Sequence, residues 1–192
     1  RQLLDRARLR HRTLYKPEGA LEDLNRLLQL DPGNFFGLVY RAEVQEASGR
    51  WRESYADYKA ANALKPEYDP IYPSMALMSF VFGDYQAAAD FAARSYTQHR
   101  GEWAFPIIQT LSLQKLRRPQ EATAVLTATS RTFANQPLVS ELFRFLANPR
   151  AVFAITTLLE RETSEVVKTR VQFYLGSYYF LNNQNQSARA YF

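Results

Sequence analysis

Four windows of 34 residues follow one another without a gap, at 1–34, 35–68, 69–102 and 103–136, and similar residue types fall at similar places in each. The seventeenth place reads Pro17, Trp51, Tyr85, Pro119, and the twentieth reads Ala20, Ser54, Ala88, Ala122. Pro32 and Pro66 also share a place. A fixed period of this length specifies stacked helical hairpins, because one hairpin cannot bury its apolar face alone and needs neighbours. The fold class expected is therefore all-α, a right-handed superhelix of stacked antiparallel hairpins counted as one domain over 1–192.

The chemistry of each place supports a hairpin. Pro17 and Pro119 fit the first turn of a second helix, where a missing N–H costs nothing, and Trp51 and Tyr85 put an aromatic wedge there instead. Gly49 and Gly83, two residues earlier, mark the turn between the helices. A small residue at the twentieth place, followed four residues on by Leu24, Tyr58, Ala92 and Leu126, lets two helices approach and then fills the space beside them. Leu38, Ala42 and Gln45, then Tyr72, Met75, Ala76 and Ser79, give the first helices of the second and third windows a mostly apolar stripe at helical spacing. Pro73 is tolerable in the first turn of a helix beginning near Pro70.

These residues resemble the tetratricopeptide repeat, whose consensus has the same length, the same small residue and the same closing Asp-Pro. Gly49-Arg50-Trp51 and Gly83-Asp84-Tyr85 are similar to its inter-helix turn, and Ala61-Asn62-Ala63-Leu64-Lys65-Pro66 to its end. Two departures stand out: His99-Arg100 closes the third window where proline belongs, and Arg8 replaces a small residue. Beyond Gln136 the register weakens, then returns in Leu175-Gly176 with Tyr179, followed by Ala188 and Phe192. The last, partial window therefore starts at Thr169, and 137–168 reads as a shortened hairpin with helices near 138–147 and 150–161, split at Asn148-Pro149. Glu162-Thr163-Ser164-Glu165 starts a long helix. The segment 172–192 also resembles the closing repeat of an adaptor lipoprotein of the bacterial envelope. That likeness implies a homodimer in the periplasm or envelope, reaching a membrane only through an anchor upstream.

With 46% hydrophobic residues the 192-residue chain can bury a core, but no run nears the length of a membrane span. It has no cysteine, which excludes disulfides and thiol catalysis. It begins at Arg1 and stops at Phe192 within an expected second helix, as a piece of a longer protein would. No phosphate-binding glycine loop or zinc-binding histidine pair occurs, and His11 and His99 lack neighbouring metal ligands. No enzyme activity, metal or cofactor is expected.

Arg1, Arg6, Arg8, Arg10, Arg12 and Lys16 against Asp5 account for the whole net charge of +5. Arg6 with Arg10, and Arg8 with Arg12, gather like charge on the outer flank of one helix, giving a basic patch. It reads either as a solvated end or as a contact for an anionic surface or polymer. The aromatic residues do not interleave with the arginines, so nucleic acid is not expected as the partner.

The resemblance puts places two, five, nine and twelve of each window on a concave groove. Those places give Phe36, Val39, Glu43 and Glu46, then Pro70, Pro73, Leu77 and Phe80, then Ala104, Ile107, Leu111 and Gln114. The expectation is an exposed apolar strip of Phe36, Leu77, Phe80, Ile107 and Leu111 that holds a protein or peptide segment. Two alternatives stand beside it: a small hydrophobic molecule bound on the same strip, or a C-terminal helix, 150–161 or 166–181, folded back over it. Because Asp5, Leu9, Glu43 and Leu77 replace the basic donors that relatives use to grip a carboxylate, Glu43 and Glu46 are expected to meet Lys or Arg on the partner.

Overall fold

A computed structural model describes residues 2–149 and 152–192, and among them every regular element is a helix. The chain divides into two compact units, Arg1–Gly83 and Asp84–Phe192. The first contains α1 (Gln2–Arg12), α2 (Pro17–Leu30), α3 (Phe35–Ala47), α4 (Trp51–Leu64) and α5 (Tyr72–Val81), the last entered through a 3-10 turn at Asp69–Ile71. The second contains α6 (Tyr85–Gln98), α7 (Ala104–Lys115), α8 (Pro119–Thr129), α9 (Pro137–Ala147), α10 (Val152–Arg161), α11 (Glu165–Leu181) and α12 (Asn185–Arg189). No helix among the described residues is long and apolar enough to cross a membrane.

The period in the sequence becomes a period in the backbone. In all four windows the second helix begins at the seventeenth place, and in the first three it ends at the thirtieth. The fifteenth place is left-handed every time: Tyr15 (φ 51°), Gly49 (φ 73°), Gly83 (φ 82°) and Arg117 (φ 60°). Asn183 (φ 61°) occupies the same place in a window counted from Thr169. A left-handed residue past a helix C-terminus reverses the chain and satisfies the last carbonyls, as where Arg50 and Arg118 donate their N–H to Gln45 and Leu113. Glycine carries this conformation without strain, and tyrosine and arginine carry it at a cost.

Packing follows the small residues. Ala20 and Ser54 in the first unit, and Ala88, Ala122 and Ala188 in the second, are buried. The Ser54 hydroxyl is satisfied by donating to the Ala42 carbonyl at 2.9 Å. Gly176 shows how close the last approach is, since an added Cβ would stand 2.7 Å from the Phe192 ring. In the first unit Ala7, Ala20, Leu21, Leu24 and Val44 form a core against which Leu4 and Tyr40 pack.

The segment after Gln136 folds as a hairpin of α9 and α10, close to the expected bounds, although residues 150 and 151 of the expected second helix lie outside the described residues. Ser164 caps α11, its hydroxyl accepting from the Val167 N–H. Phe145 on α9 meets the Tyr178 and Tyr179 rings of α11 at 4.9 and 5.9 Å between centroids.

Candidate functional site

The structure separates the expected strip into a buried part and an open part. In the second unit Ile107 and Leu111 on α7 are 0% and 1% exposed. They are core residues of α7, which packs against α6 and α8 and also meets α11. Arg170 of α11 reaches Glu102 at 2.5 Å and lies over the Trp103 ring at 4.5 Å. At the other end of the same contact, Lys115 donates to the Leu181 carbonyl at 3.1 Å. Gln114 is half-buried and donates to the Leu146 carbonyl of α9 at 3.3 Å. Of the two C-terminal helices expected to fold back, 166–181 lies in α11, which meets α7 at both ends. In the first unit Val39 and Phe80 are also buried, as core residues of α3 and α5.

Phe36 remains 42% exposed, Leu77 is half-buried, and Glu43 and Glu46 are half-buried too. Glu46 is already satisfied: it accepts from the Tyr58 hydroxyl at 3.0 Å and from Ser74 at 3.2 Å. Burial, reinforced by the charge of Glu46, pushes the Tyr58 phenol far above its ordinary pKa, so it stays a donor at any physiological pH. Glu43 pairs with Arg12 at 3.4 Å. Neither carboxylate stands open to a basic partner as expected.

The four arginines of α1 do not form one patch. Arg6 and Arg10 turn to α2, where both pair with Asp23, Arg10 at 3.1 Å, and Arg10 also donates to the Gly19 carbonyl. Arg8 and Arg12 turn the other way, to α3, with guanidinium carbons 4.8 and 5.9 Å from the centre of the Tyr40 ring. Successive helical residues lie about 100° apart, so pairs offset by two residues face nearly opposite directions. The hydrogen bond from Arg6, followed by the charges of Arg10 and Arg6, holds the Asp23 carboxyl below its ordinary pKa despite its burial. A depressed carboxyl contributes stability that is present above its unfolded pKa of about 4 and is lost as pH falls through the folded value. Thermal unfolding of Asp23→Asn should therefore depend less on pH below about 4 than unfolding of the parent chain.

Around Tyr40 the first unit presents a continuous aromatic and cationic face. Phe36 stacks on Tyr40 at 6.2 Å with planes 25° apart, and both Phe35 and Phe36 meet the Tyr68 ring edge-on. Lys65 places its ammonium 4.5 Å from the Phe35 ring and 5.4 Å from that of Phe36. Arg8 and Lys65 thus bracket the face, and no carboxylate pairs with either among the described residues. Rings and cations interleave here, contrary to the expectation from sequence. Tyr40, Lys65 and Tyr68 were missed because they lie outside the four groove places; the available signal was Tyr40 following Phe36 by four residues.

Neither the sequence profile of any known family nor any curated protein matches this chain.

Proposed function

We propose that the chain is a tetratricopeptide-repeat scaffold without chemistry of its own, which holds a segment of another protein on the α1, α3 and α5 face of its first unit. What supports this reading is the repeated phase: helix starts, buried small residues and left-handed turns recur at fixed places, the arrangement that such a superhelix requires. The open face of Phe36, Tyr40, Arg8 and Lys65 gives the segment its contact. Its chemistry favours a segment carrying acidic and aromatic or aliphatic side chains. Glu43 pairs with Arg12 and Glu46 accepts from Tyr58 and Ser74, whereas no carboxylate pairs with Arg8 or Lys65 among the described residues. Exposed aromatic anchors flanked by cations are the residue types that dominate binding energy at interfaces.

A photo-crosslinking residue at position 36 should trap a protein in cells that make the full chain. Phe36→Asp, and separately Arg8→Glu, should cut capture of that protein about tenfold or more while leaving helical content unchanged. Capture that survives both substitutions would dismiss this face as the contact.

A further inference from the structure

The second unit carries a recess of about 280 Å³ where the turn between α7 and α8 meets the C-terminal end of α11. Leu111, Gln114, Lys115, Arg117, Leu181 and Asn182 line it. Two of the six are cations and none is a carboxylate. Three of the polar side chains are anchored to backbone carbonyls: Lys115 to Leu181 at 3.1 Å, Gln114 to Leu146 at 3.3 Å and Asn182 to Tyr178 at 2.8 Å. Lys115 therefore has a fixed position, with N–H groups to spare beyond the one that caps α11.

Arg117 is the unexplained member. Its backbone is left-handed at φ 60°, in the place that glycine fills at Gly49 and Gly83. Glycine there would avoid the strain, so the fold alone gives no reason for arginine. Its neighbour Arg118 is engaged, donating from Nε and Nη2 to the two carboxylate oxygens of Glu121 and from Nη1 to Gln86. The Arg117 side chain makes no such bond among the described residues, and Arg117 lines the same recess as Lys115. An oxyanion held between the two side chains would meet both positive charges. A guanidinium fork beside an ammonium matches the oxygens of a phosphate, and the recess leaves room for an organic group beyond it.

We infer that this recess binds a phosphate monoester, held by Lys115 and Arg117. The phosphate belongs either to a free small molecule or to a phosphorylated side chain, and both present the same group to the two cations. The inference is independent of the Phe36 face.

The test is a titration of the isotope-labelled full chain with inorganic phosphate at constant ionic strength, followed by amide NMR shifts. Saturable shifts centred on residues 114–118 and 181–183 are expected. Lys115→Gln and Arg117→Gly should each weaken binding about tenfold or more. Because Arg117→Gly also relieves the left-handed strain, its Tm should match or exceed the parent's, separating lost binding from lost folding. Shifts scattered over the surface arginines, or an Arg117→Gly chain that binds phosphate as the parent does, would overturn the assignment. Phosphoserine and a phosphoserine pentapeptide then distinguish the sources: tighter binding of the peptide points to a modified partner, and equal binding to a free ester.

Discussion

Replacing Phe145 with alanine should destabilise the second unit by about 4 kcal/mol, the scale set by emptying a fully buried aromatic site. Phe145 is 0% exposed and is the ring on α9 against which Tyr178 and Tyr179 of α11 pack. Its loss leaves a cavity on the side where α11 is also held to α7. The measurement is urea unfolding followed by fluorescence in a Trp51→Phe background, so that Trp103, buried against Tyr174, reports on this unit alone. The midpoint should fall while the helix signal in water is retained. Dye binding to newly exposed apolar surface should rise as α11 loosens from α9 and α7. A loss under about 1 kcal/mol would mean that α11 is held mainly by its polar contacts at Glu102 and Lys115.

The second large effect belongs to Asp57. It is 6% exposed and accepts two bonds from the Arg41 guanidinium, both at 2.7 Å, while a third Arg41 donor goes to Asn25 of α2 at 2.9 Å. One arginine on α3 thereby ties α2, α3 and α4. The hydrogen bonds to Asp57 raise the Arg41 pKa against the burial that opposes them, so the guanidinium stays charged. Asp57→Ala leaves a partly buried guanidinium with one partner and should cost about 2–3 kcal/mol. Replacing both residues with apolar ones of similar size should recover part of that, because the desolvation of the charge then disappears as well. Thermal unfolding followed by circular dichroism, run as a double-mutant cycle, gives the coupling directly.

The elements that local chemistry dictates were legible in the sequence. Pro17 and Pro119 begin second helices, Trp51 and Tyr85 begin the others, Gly49 and Gly83 are left-handed, and Asn148-Pro149 separates α9 from the next helix. Each depends on a few adjacent residues. The state of the expected groove was not legible, because it depends on residues far away in the chain. Nothing beside Ile107 or Leu111 announces that they will be core residues of α7, or that α11, some 66 positions on, will meet that helix, although the long apolar helix itself was visible. The basic patch failed for a geometric reason: sequence proximity put Arg6, Arg8, Arg10 and Arg12 together, and helical rotation set Asp23 beside one pair and Tyr40 beside the other. Of the face around Phe36, only Phe36 was seen as groove and Arg8 as part of a separate basic patch, since Lys65 and Tyr68 reach it from the end of the window rather than from the first helix.

The constant phase of the hairpins also determines where this chain tolerates a change of length. One residue inserted in α4 ahead of Tyr58 would turn the rest of that helix by about 100°, moving Tyr58 to the exposed place of Lys59 and putting Ala60 in the buried place of Ala61. The same insertion between Pro66 and Glu67, both exposed in the connection after α4, alters no helical register, and its cost is confined to the turn bond from the Tyr68 N–H to Lys65, the Tyr72 bond to the Pro66 carbonyl and the seat of Tyr68 on Phe36. Indels should therefore be accepted at junctions such as 65–68 and rejected inside the helices that those junctions join.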